Sequence, residues 1–73
     1  MITVKAVEGP SQDFIYLEGV ADDCPQATQR RSVACAALAA GTVTIADEKA
    51  ALIAAVEQAR TNWLAAQAAL QEL

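Results

Sequence analysis

Seventy-three residues make one domain at most, too short for a self-contained α/β enzyme with a cofactor crevice. With no histidine and only two cysteines, a single chain cannot supply a Cys₄ or Cys₂His₂ zinc site, and a net charge of −4 does not point to nucleic acid as a partner. Apolar residues are 55% of the chain, but 18 of them are alanine, and a domain of this size buries only about 60% of its unfolded surface. Oligomerisation, or packing into a larger assembly, is the remaining way to complete so thin a core.

Residues 1–20 predict a β-hairpin. Ile2, Val4 and Ala6 alternate with Thr3 and Lys5, Gly9-Pro10-Ser11-Gln12 is turn chemistry, and Phe14-Ile15-Tyr16-Leu17 suits a second strand. A competing reading starts a short helix at Pro10, with Phe14, Leu17 and Ala21 as its stripe. Asp22-Asp23-Cys24-Pro25 resembles a helix start, with aspartates to cap and proline in the first turn. The expected helix covers residues 25–40 and stops at Gly41. Residues 42–45 (Thr-Val-Thr-Ile) read as an extended connector that could add a third short strand. Thr44 with Asp47 resembles a capping box, opening a long alanine-rich helix over residues 46–73. The fold class expected is therefore α+β: hairpin, short helix, connector and long C-terminal helix.

That last helix carries the functional argument. Leu52, Val56, Ala59, Trp63, Ala66, Leu70 and Leu73 are spaced alternately by four and three residues, a coiled-coil-like stripe, with Leu64 beside it. Few charges interrupt its other faces, and a helix smooth on several sides is usually covered on several sides. These eight residues are the candidate interface, and Trp63, the only tryptophan, is its natural anchor. Substituting Trp63 by alanine is expected to break folding or assembly.

The acidity is concentrated near the N-terminus. Glu8, Asp13, Glu18, Asp22 and Asp23 stand against Lys5 alone in residues 1–24, whereas the rest of the chain is neutral. Asp13, Glu18, Asp22 and Asp23 are thus a second candidate site, for a basic partner surface. A hairpin edge adding a strand to a partner's sheet is compatible with either reading.

Other chemistry is thin. On a continuous helix Cys24 and Cys35 lie about 16 Å apart along the axis, too far to bridge. Cys35 reads as a small buried hydrophobe, and Cys24 has no histidine to activate it as a nucleophile. Asp22-Asp23 and Asp47-Glu48 sit at expected helix caps rather than in a calcium-type loop, and Arg30-Arg31 as ordinary surface. No signal peptide or membrane span is predicted, which suggests synthesis in the cytoplasm. No catalytic, metal or cofactor residues are expected, nor a small-molecule substrate. The leading expectation is a non-enzymatic structural subunit of a multi-chain assembly, of the kind found in phage virion heads, necks and decorations. The alternative is a small acidic inhibitor, in the manner of anti-CRISPR proteins or antitoxins.

Overall fold

Three consecutive antiparallel strands form a meander, and one long helix lies across it. The computed structural model describes residues 1–73, ordered β1 (Ile2–Val7), β2 (Phe14–Ala21), β3 (Cys24–Ala34), α1 (Cys35–Ala40) and α2 (Ile45–Leu70). The sheet order is β1-β2-β3. This is the expected α+β class, with residues 14–18 in a strand rather than a helix.

The register of β1 on β2 pairs Ile2 with Ala21, Val4 with Gly19 and Ala6 with Leu17. Side chains alternate across a strand, so Ile15, Leu17, Gly19 and Ala21 share the face that meets α2. Phe14, Tyr16, Glu18 and Val20 point the other way. The alternation of β1 and the doubly apolar run in β2 are both used: Leu17 enters the core, and Phe14 and Tyr16 pair their rings 6.3 Å apart on the open face.

The segment 25–40 differs from expectation. Residues 25–34 belong to β3, and only Cys35–Ala40 is helical. Asp22-Asp23 is not a helix cap but the two-residue turn of a second hairpin, closed by the Ala21–Cys24 pair. Pro25 is accommodated because the ladder is irregular here: Pro25, Gln26, Ala27 and Thr28 stand opposite the single residue Val20. Such a bulge frees proline from the ladder hydrogen bond it cannot make. The Thr28 hydroxyl donates to the Pro25 carbonyl at 2.7 Å, and Ala27 is driven into the core. Beyond the bulge Arg30 to Ala34 pair with Glu18 to Phe14. Tertiary pairing has overruled a helix-like local signal.

The rest follows the sequence closely. Gly41 ends α1 in the left-handed conformation at φ 76°. The Gly41 amide donates to the Leu38 carbonyl and the Thr42 amide to Ala37, the paired bonds of a Schellman ending. Residues 42–45 form no strand; the third strand is β3. The Thr44 hydroxyl accepts from the Asp47 amide at 3.1 Å, with Asp47 and Glu48 in the first turn. The helix runs Ile45–Leu70 against the expected 46–73.

The core is small. Leu17, Ala21, Cys24, Ala27, Val33, Leu52 and Val56 are its buried apolar members, and only Leu52 and Val56 are large side chains fully enclosed. Gly19 lets the helix come down onto the sheet: a Cβ there would lie 2.8 Å from Val56 Cγ2 and 3.2 Å from Leu52 Cγ. Arg31 of β3 pairs with Glu48 near the start of α2, and Arg60 with Asp23 nearly three turns before its end. These two ion pairs mark where the helix meets and leaves the sheet. The radius of gyration is 14.7 Å, against about 11 Å for a compact domain of this length.

Candidate protein-binding surface

The stripe on α2 divides in two. Leu52 and Val56 are spent on the chain's own core, at 1% and 0% exposure, and Ala59 packs against it. They are not available to a partner, which corrects their place in the candidate interface. Beyond Arg60 the helix continues past the β2–β3 turn with no sheet beneath it. Trp63, Leu64, Ala66, Leu70 and Leu73 are all exposed there. Leu70 is 58% and Trp63 38% exposed.

The overhang is long because alanine holds the helix together. Residues 61–70 include four alanines, the strongest helix former, and the anchored segment before them supplies the nucleus that a free helix lacks. At 1.5 Å per residue this stretch reaches about 15 Å past the sheet. It has no charged side chain between Thr61 and Gln71. The molecule therefore measures 51 × 22 × 18 Å.

The acidic candidates do not form one patch. Asp13 precedes β2 and Asp22 follows it, so eight strand residues, about 26 Å, separate them. Glu18 lies between two cations on the open face, 4.0 Å from Lys5 and 2.9 Å from Arg30, with its side chain 15% exposed. Asp23 accepts from Arg60 Nε at 3.0 Å and also from Nη2. That bidentate hydrogen bond, with the guanidinium's charge, holds the Asp23 carboxyl below the usual carboxylate range. The same contact pushes Arg60 up.

The sequence casts Asp23 both as a helix cap and as a docking carboxylate, and nothing local in it points to the pairing with Arg60, 37 residues away. A shallow hollow of about 440 Å³ adjoins this pair, lined by Ile2, Ala21, Ile53 and Glu57 among others. Both cysteines are free: Cys24 is buried on β3 and Cys35, the first residue of α1, is half-buried. They stand at opposite ends of β3 rather than along a helix. No three His, Cys, Asp or Glu side chains come together as a metal site, and no helix is long and apolar enough to cross a membrane. Compared with protein-family models, with curated proteins and with solved structures, the chain matches none.

Proposed function

We propose that this chain is a non-enzymatic structural subunit that assembles with other protein chains through the overhang of α2. One observation carries the reading: the part of the helix beyond Arg60 bears Trp63, Leu64 and Leu70 exposed, while the part before it supplies the only large side chains fully enclosed in the core. An apolar helix face extending past its own domain costs solubility unless a partner covers it. Tryptophan on such a face is the type of residue on which interfaces concentrate their energy. The acidic-inhibitor reading draws no comparable support, since its four carboxylates are dispersed and two are already paired with cations.

Trp63→Ala tests the proposal. Because Trp63 is not a member of the buried cluster, the variant stays folded, with a loss of stability small beside that of truncating Leu52. Its assembled mass, read by light scattering, falls towards that of a single 7.6 kDa chain. A variant that assembles as fully as the unsubstituted chain would sink the proposal.

A further inference from the structure

We infer that the partner covering the overhang is the overhang of a second copy of this chain, paired antiparallel about a two-fold axis near Ala68. The inference rests on the assembly reading above and names its partner and geometry.

Surface area gives the first argument. A folded monomer of 7.6 kDa is expected to expose about 4,300 Å². This chain exposes 5048 Å². The excess, about 750 Å², is close to the roughly 800 Å² that each partner buries in an interface of standard size.

Shape gives the second argument. The seam of the overhang reads Trp63, Ala66 and Leu70 on the helix, with Leu73 in the turn that follows it. A two-fold interface must be self-complementary, each patch meeting its own copy. Antiparallel pairing about Ala68 sets Trp63 opposite Leu73 of the second copy and Ala66 opposite its Leu70. The smallest seam residue thus meets a leucine in both symmetry-related layers. Large against small is the condition for two helices to interdigitate at close range. A slide of seven residues would demand Ala59 and Val56 as partners, and these are already packed on the sheet.

Sterics choose the direction. The seam of α2 before Arg60 is covered by its own sheet. Two parallel helices meeting along this seam would drive both sheets into one space. In the antiparallel arrangement each sheet lies beyond the end of the other copy's helix. The second helix occupies the layer that the first sheet vacates, because helices pack 8–10 Å apart and sheets about 10 Å from what they face.

Charge is permissive. Residues 61–71 carry none, so two copies meet along the seam without repulsion. Glu72 of the second copy arrives within one helical turn of the level of Arg60. Asp22 on the nearby turn is a like charge at that end, so attraction and repulsion offset and the pairing depends little on salt.

Inter-copy distances between spin labels decide the matter. In a Cys35→Ser background, labels are placed singly through Ala54→Cys, Thr61→Cys and Ala68→Cys, three exposed positions seven residues apart on the outer face. Light scattering on the same samples gives the mass. The expected result is a two-chain particle in which the label separation is shortest at position 68. It then lengthens at each step back along the helix, because the offset of the two labels along the axis grows by roughly 20 Å per step, twice the rise of seven residues. Equal separations at all three positions, or a particle of more than two chains, would overturn the antiparallel pair while leaving assembly through the overhang standing. A single chain at every concentration would overturn the pairing of two copies and leave the overhang to a different chain.

Discussion

Gly19 controls how closely helix and sheet approach. Its hydrogen leaves room for the Val56 methyl, and a β-branched side chain pinned at χ1 cannot turn aside cheaply. Gly19→Ala is expected to destabilise the chain by about 1–3 kcal/mol, the usual cost of overfilling a packed site, as a lower urea midpoint. An unchanged midpoint would mean that the helix rides higher on the sheet than described. Asp23 gives a pH signature. Its folded pKa lies below the ordinary value of 3.8 because Arg60 binds the charged form. A depressed folded pKa contributes stability above the unfolded value, and that contribution is lost as pH falls through the folded one. The melting temperature of Asp23→Asn should therefore lie below that of the parent by a constant gap from pH 7 down to about pH 5. The gap should close as pH drops through 3.8 and below. A gap that persists at pH 2 would assign the loss to something other than this carboxylate's charge.

Among the elements, α2 was the most legible. Its start was written in Thr44 and Asp47, and its length in the run of alanines and leucines. Thr44→Ala should cost about 1 kcal/mol of stability, with Thr44→Ser recovering most of it, when compared by thermal melting. Equal stability of all three would remove the cap from the account. The first hairpin was legible for a similar reason, since alternation in β1 and Gly9-Pro10 in the turn are local signals. β3 was not legible. Pro25 after two aspartates, and the small residues from Ala34 to Ala40, are local signs of helix. What makes residues 24–34 a strand is an edge of β2 waiting to be paired, and a bulge that tolerates proline. Neither is a property of the segment itself. The candidate interface was half legible for the same cause. The stripe Leu52 to Leu73 is visible as a periodicity, but where the sheet stops beneath it is not, because that depends on which residue Arg60 meets.

The whole molecule is a small anchored unit with a projecting arm, and the two respond differently to truncation. Leu52→Ala removes one of the two large enclosed side chains and should cost about 2–5 kcal/mol. Leu70→Glu changes a side chain that is 58% exposed and should leave stability within about 0.5 kcal/mol. It places a carboxylate on the face through which the chains are proposed to meet. The separation of folding from assembly is thus the central claim. Its most direct test is the solution mass of the chain and of Leu70→Glu, measured by light scattering from micromolar to near-millimolar concentration, at low and high salt. The account predicts a salt-resistant multiple of 7.6 kDa for the chain and a folded single chain, with the parent's melting temperature, for the variant. A chain that stays single throughout, or a multimer that Leu70→Glu leaves whole, would contradict it.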